Sequence, residues 1–211
     1  MTKFCRKNFW VFAALVLTAC SQAPKAPTTN TTTAQAAPKP TVTVPQPVSG
    51  QTAFWEMYKS AYAWSKDVQP LTLASKEMQG FKSEGGNSPL WTATFASASQ
   101  GQARTFTYSI VPTSVLSKGV NIGGPIRWSG PTREVMPFQT SDFTADSTAA
   151  FAAAAADGQA WLEKNPGKSP TLTLGSNARF VSPVWYVMWG NKKSGYAAFV
   201  SATSGKVIHP N

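Results

Sequence analysis

The sequence predicts an α+β fold: two helix-plus-antiparallel-sheet repeats, carried behind a signal peptide and a disordered tether. Three observations lead there. First, short matches recur in the same order in both halves. Ala63-Trp64 returns as Ala160-Trp161, Leu71-Thr72-Leu73-Ala74-Ser75 as Leu172-Thr173-Leu174-Gly175-Ser176, and Ser88-Pro89-Leu90-Trp91 as Ser182-Pro183-Val184-Trp185, at offsets of 97, 101 and 94 residues. Ordered recurrence of this kind marks a duplicated unit, with insertions taken up in loops. Second, each unit opens with a run of helical period and continues with residues that alternate apolar and polar. Third, the composition changes at about residue 51: residues 21–50 hold six Pro, seven Thr and five Ala with no aromatic residue. Such a stretch cannot bury enough apolar surface to offset its ordering entropy.

The segments then follow in order. Lys3, Arg6 and Lys7 precede an uncharged run from Phe9 to Leu17. That run is too short to span a bilayer, which takes roughly 20 apolar residues, and has the length of a signal-peptide core. The following Leu17-Thr18-Ala19-Cys20 closely resembles the bacterial lipobox. The resemblance implies cleavage before Cys20 and lipidation of that residue with diacylglyceryl and N-acyl (palmitate-type) chains. Residues 1–19 are thus expected to leave, and residues 20–50 to form a lipidated linker. Cys5 goes with the leader, so no thiol pair remains for a disulfide. Ser21 follows the Cys where lipoproteins kept at the inner membrane often carry Asp, so outer-membrane retention facing the periplasm is expected.

The globular part is expected over 51–211: repeat one at about 51–117, a connector at about 118–140 and repeat two at about 141–211. In repeat one, Gln51 or Thr52 opens a helix whose apolar face is Phe54, Trp55, Met57, Tyr58, Ala61 and Tyr62, and Pro70 bars its continuation. Trp91, Ala93 and Phe95 alternate with Thr92 and Thr94, and Phe106, Tyr108 and Ile110 with Thr105, Thr107 and Ser109. This predicts a hairpin through Gly101 with one buried face and one wet, Thr-rich face. In repeat two, Asp146 or Ser147 caps a helix running through Ala149–Ala156 and ended by Asn165-Pro166-Gly167. Its hairpin turns at Asn191–Gly195. Trp185, Val187 and Trp189 share one face, and Tyr186 and Met188 the other, so both faces are apolar.

The end of repeat two reads Trp185-Tyr186-Val187-Met188-Trp189, a polar turn, then Tyr196-Ala197-Ala198-Phe199-Val200-Ser201-Ala202-Thr203-Ser204-Gly205-Lys206-Val207-Ile208. It resembles the closing hairpin of PepSY and PepSY-like domains, in which a Trp-containing strand precedes a strand ending Val-Asp-Ala-x-Thr-Gly-Lys-Val. The likeness covers about 147–208, and 52–111 through the internal repeat. Ser201 stands where that family usually has Asp, a residue that helps shape the turn into the Gly. The resemblance implies an exported, non-catalytic module that binds or restrains another protein, such as a secreted peptidase; it supplies no catalytic residues.

Composition excludes much else. The formal charge is +10, yet from residue 51 onward 14 Lys+Arg face 9 Asp+Glu. Apart from Lys192-Lys193 the basic residues lie scattered, without the clustered stripe a nucleic-acid partner needs. The single His, His209, lies two residues from the C-terminus, so a His-based triad or metal site would rest on a frayed end. No Gly-rich phosphate loop is present, and no cofactor is expected. The expected partners are the membrane, through the anchor, and an unidentified protein or peptide. Candidate contacts are Arg127, Trp128 and Arg133 in the Gly/Pro-rich connector, since Trp and Arg are enriched at interface hot spots, and Tyr186, Met188 and Trp189 on the second hairpin. Trp55, Trp64, Trp91, Trp161 and Trp185 are expected in the core. The alternatives are a structural envelope protein associating with the cell wall, and a carboxylate hydrolase using Asp142 or Glu134.

Overall fold

The computed structural model describes residues 44–191 and 193–209; the leader, Cys20 and most of the linker lie outside them. The described chain is an α+β structure with one antiparallel sheet of eight strands. Helix α1 is Gly50–Trp64, followed by β1 (Gln69–Lys76), β2 (Leu90–Ser97), β3 (Gln102–Ser109) and β4 (Gly119–Arg127). After a 3-10 turn at Thr140–Asp142 come α2 (Ser147–Asp157), α3 (Gln159–Lys164), β5 (Pro170–Gly175), β6 (Val184–Trp189), β7 (Tyr196–Ser201) and β8 (Val207–Ile208). The spatial order is β4-β3-β2-β1-β5-β6-β7-β8. Two helix-plus-antiparallel-sheet repeats were expected; the structure has one continuous sheet, because β1 pairs with β5.

That seam is short. It holds Thr72↔Gly175, Leu73↔Leu174 and Ala74↔Thr173, while β2 and β3 pair along their whole length. An offset of 101 residues sets Leu73 opposite its own counterpart Leu174 and exchanges the two flanking pairs. Beyond the pairs the strands part. On one side Ser75 Oγ fills the gap by accepting the Leu172 N–H at 2.9 Å. On the other the counterpart is Ser176, whose buried Oγ has no hydrogen-bond partner. There β1 carries a bulge between Pro70 and Thr72, which breaks the regular register around Leu71.

The helices cover one face. Trp91, Phe95 and Phe106 project from the first half of the sheet, Trp185, Val187 and Trp189 from the second, all fully buried. At the centre the Trp91 and Trp185 rings meet edge to face, 6.2 Å apart. Their indole N–H groups donate to Val48 O and Ala145 O, both at 2.9 Å. A Trp buries about 150–250 Å², which at about 25 cal/mol/Å² contributes at most about 4–6 kcal/mol.

Both helices begin at this point, and their N-termini are capped jointly. Ser49 Oγ accepts the Thr52 N–H. The Gly50 N–H donates to Ser147 Oγ at 2.7 Å, and the Gln51 N–H to Asp146 Oδ1 at 2.8 Å. The same Oδ1 accepts the Ser147 N–H at 2.6 Å, capping α2. Two positive helix ends facing each other would repel; one carboxylate between them removes that cost and satisfies donors of both. Space is tight: a Cβ on Gly50 would lie 2.9 Å from the Trp185 ring.

Several expectations are corrected here. The first helix starts at Gly50 with Ser49 as its cap, ahead of Gln51 or Thr52. Order also reaches into the expected linker, because Val48 and Ser88 exchange backbone hydrogen bonds. Trp55 is 40% exposed. The stripe Ala53, Phe54, Met57, Ala61 fills the sheet-facing side of α1, so Trp55 and Tyr62 lie on an outer stripe, with Tyr58 between them half-buried against Phe54 and Phe95. The single helix expected to run up to Asn165 breaks at Gly158, where the Tyr196 ring occupies the place a Cβ would take. Finally, the first part of the connector is strand β4. Its Gly-Gly-Pro sequence reads as a loop, but Gly123 and Gly124 absorb a bulge opposite Thr105. A Cβ on Gly123 would meet Thr105 O at 2.9 Å. The bulge and Pro125 blunt the exposed edge of β4, and β8 blunts the other by having two residues.

Candidate functional site

The face of the sheet without helices carries the Thr-rich rows that alternation predicts, Thr92, Thr94, Thr105 and Thr107, half-buried to exposed. Two features interrupt it. Beneath β1–β3, Leu71, Ala96 and Ala103 form a small apolar cluster roofed by Trp128 and Val135. Trp128 is therefore half-buried and packed on the sheet, whereas Arg127 and Arg133 are exposed. Beside this roof, over β5–β7, lies a groove.

The groove encloses about 360 Å³ and is lined by Thr72, Thr173, Gly175 and Ser176 from the seam, Val184, Tyr186 and Phe199 from β6 and β7, and Glu134 and Asn177. Its aromatic wall follows from strand pairing, since Tyr186 is opposite Phe199 and their ring centroids are 5.1 Å apart. Phe180 extends the wall, 4.9 Å from Phe199. Phe180 comes from the β5–β6 loop, which Asn177 folds: its Oδ1 accepts the N–H groups of Arg179 and Phe180, both at 2.9 Å. Two backbone bonds tie the connector to this loop, Met136 N–H to Ser176 O and Ala178 N–H to Arg133 O. So the connector and the second hairpin, marked separately in the sequence, form neighbouring parts of one surface. What gathers them is an apolar wall, hydroxyl and amide groups, and the Glu134 carboxylate at the exposed rim.

The candidates separate accordingly. Tyr186 lines the groove, and its hydroxyl reaches Met188 Sδ on the same face at 3.4 Å. Trp189 is corrected: it is 1% exposed on the opposite face, where Phe151 of α2 packs against it, and cannot meet a partner. Phe180 and Phe199 were missed. Phe199 sits opposite Tyr186 in a hairpin whose turn was legible, so pairing the two strands residue by residue finds it; Phe180 has no periodic signal. Asp142 lies in the 3-10 turn ahead of Phe143, which packs under α1, while Glu134 belongs to the groove on the other face. Among the described residues no three His, Cys, Asp or Glu side chains come together as a metal site, and no helix is long and apolar enough to cross a membrane.

Two polar clusters lie elsewhere. Asp67 accepts from Ser65 Oγ and Ser97 Oγ, both at 2.6 Å, and from Ser99 N at 2.8 Å. The Ser65 and Ser97 hydroxyls, then the Ser99 N–H, hold its carboxyl well below the usual carboxylate range. This cluster pins the β2–β3 turn to the end of α1. Tyr196 donates to Asp157 Oδ2, and His209 Nε2 lies 3.5 Å from Asp157 Oδ1. Burial first, then Asp157, raises the Tyr196 phenol above its ordinary pKa. The turn after β7 is formed with Ser201: its Oγ accepts the N–H groups of Thr203 and Ser204 at 3.3 and 3.1 Å, leading to Gly205 at φ +69°.

The chain matches no known family and no curated protein. Among solved structures it is similar to a candidate lipoprotein from Clostridium difficile, 12% identical, at a TM-score of 0.49 over 79% of this chain and 93% of that one.

Proposed function

We propose that this chain is a non-catalytic envelope lipoprotein. Cys20 anchors it to the outer membrane on the periplasmic side, and a duplicated PepSY-like domain binds a segment of another protein. The leader chemistry supports the address. The pairing of Leu73 with Leu174 and the matched Trp91 and Trp185 support the duplication. The observation that carries the binding reading is the aromatic-walled groove on the helix-free face. Phe180, Tyr186 and Phe199 offer apolar area in a concave site, while Thr173, Asn177 and Glu134 supply convergent polar groups, the mixture that recognition sites use. A segment of a secreted peptidase is the occupant the PepSY resemblance implies.

The test is site-specific crosslinking in the producing cells. A benzophenone amino acid at position 186 is expected to trap one discrete partner, and Phe199→Ala is expected to abolish the adduct. The same probe at Thr107, on the same face away from the groove, is expected to trap nothing. Equal labelling from both positions, or none from 186, overturns the groove as the binding site. If the partner is a peptidase, adding this protein should slow its turnover.

A further inference from the structure

We infer that the outer stripe of α1 is a membrane-contact surface, which lays the domain on the lipid with its groove turned away. The stripe is Trp55, Tyr58 and Tyr62, at i, i+3 and i+7. Trp55 meets Tyr58 edge to face at 5.6 Å, and Tyr58 stacks on Tyr62 at 6.2 Å. Trp55 is 40% and Tyr62 45% exposed. The buried Trp91 and Trp185 donate their indole N–H groups to backbone carbonyls. By contrast, the Trp55 indole N–H and the Tyr58 and Tyr62 hydroxyls have no hydrogen-bond partner among the described residues. These are rings with an apolar body against the protein and a polar end open to the surroundings, the pattern that settles at headgroup depth. Lys66 Nζ stands 4.1 Å over the Tyr62 ring, while Lys59, one turn before Tyr62, is ion-paired with Glu56 at 2.7 Å, so Lys66 is the cation at this edge. Long cationic chains at the edge of an aromatic row place their charge among phosphates.

Two facts favour lipid over protein as the occupant. Two-fifths of a Trp and just under half of a Tyr amount to about 200 Å², well below the roughly 800 Å² per partner that a stable protein interface takes. A lipid surface needs no matching shape. In addition, Cys20 lies 30 residues before Gly50, a contour of about 100 Å, so an anchored chain brings α1 within reach of the bilayer. Because α1 and the groove lie on opposite sides of the sheet, contact through α1 leaves the groove facing outward. The inference rests on the proposed anchor for proximity; the stripe itself does not depend on it.

The experiment uses the mature chain, processed and lipidated at Cys20, on vesicles of phosphatidylethanolamine and phosphatidylglycerol carrying brominated acyl chains, which quench nearby Trp. Trp55→Phe is expected to lower the quenched fluorescence amplitude. Trp128→Phe, on the opposite face, is expected to leave it unchanged; Trp10, which processing before Cys20 removes with the leader, does not enter the comparison. Tyr62→Ala should reduce the Trp55 contribution while far-ultraviolet dichroism shows α1 intact. A Trp55→Phe amplitude equal to the parent's, a loss with Trp128→Phe instead, or failure of the chain to float with the vesicles overturns the inference. The mass of the mature N-terminus reports Cys20 lipidation separately, so each idea can fail alone.

Discussion

Replacing Asp146 by alanine removes one oxygen that serves two helices. Its Oδ1 accepts the N–H of Ser147, capping α2, and the N–H of Gln51 in the first turn of α1. Loss of an N-cap costs about 1 kcal/mol, and a half-buried N–H left without an acceptor costs about 1 kcal/mol more. The carboxylate also faces two helix N-termini, worth roughly 0.3–1 kcal/mol each. One oxygen cannot count fully for every role, so the expected loss is about 2–3 kcal/mol. For a domain of this size that lowers the melting temperature by roughly 5–10 °C. Asp146→Asn keeps an acceptor and loses the charge, so about 1 kcal/mol or less is expected, shrinking as salt screens the dipoles. Thermal unfolding followed by circular dichroism at neutral pH, in low salt and then high salt, reads both. If Ala and Asn melt together, or the Ala variant melts with the parent, the joint cap does not hold the halves together and the argument fails.

Other outcomes follow from the same geometry. Gly50→Ala, which by helix propensity alone should not destabilise, is expected to cost about 1–3 kcal/mol by overpacking, because the new methyl meets the Trp185 ring at 2.9 Å; denaturant midpoints decide the sign. Asp67 has a folded-state pKa below its unfolded value, so its contribution is present above about pH 4 and is lost as pH falls below that. Acid titrations should therefore show Asp67→Asn with a flatter acid limb than the parent, and parallel limbs would contradict the Ser65–Ser97–Ser99 cage. Trp189→Ala should cost about 3–5 kcal/mol as a core deletion, while Tyr186→Ala, at the groove wall, should spare stability. Equal effects on folding would place the two residues on one face.

Part of this was open to inspection in the chain. The alternation of Trp91, Ala93 and Phe95 with threonines fixes which face is buried, because neighbouring side chains in a strand must point opposite ways. The Trp185–Trp189 hairpin and its turn at Asn191 were legible for the same reason, and half of the groove came with them through Tyr186. The other half was hidden. Phe180 is placed by an Asn177 turn with no period, and Glu134 sits in a segment whose path depends on bonds to Ser176 and Ala178. Strand β4 was concealed by Gly123-Gly124-Pro125, residues that normally end strands and here absorb a bulge at a sheet edge.

By itself the sequence determined the helix-then-strand order of each half, Asp146 as one of two candidate caps of the second helix, and which face of the strands requires burial. The tertiary structure decided what buries them. Only it shows that the halves join in a single sheet through three residue pairs, that Trp189 faces α2 while Tyr186 faces the groove, and that Trp55 and Tyr62 are left uncovered on α1. The physical reason is range. Periodicity is written by neighbours a few residues apart, whereas Leu73 meeting Leu174, or Asp146 capping a helix that begins at Gly50, depends on chain segments about a hundred residues away that leave no local trace.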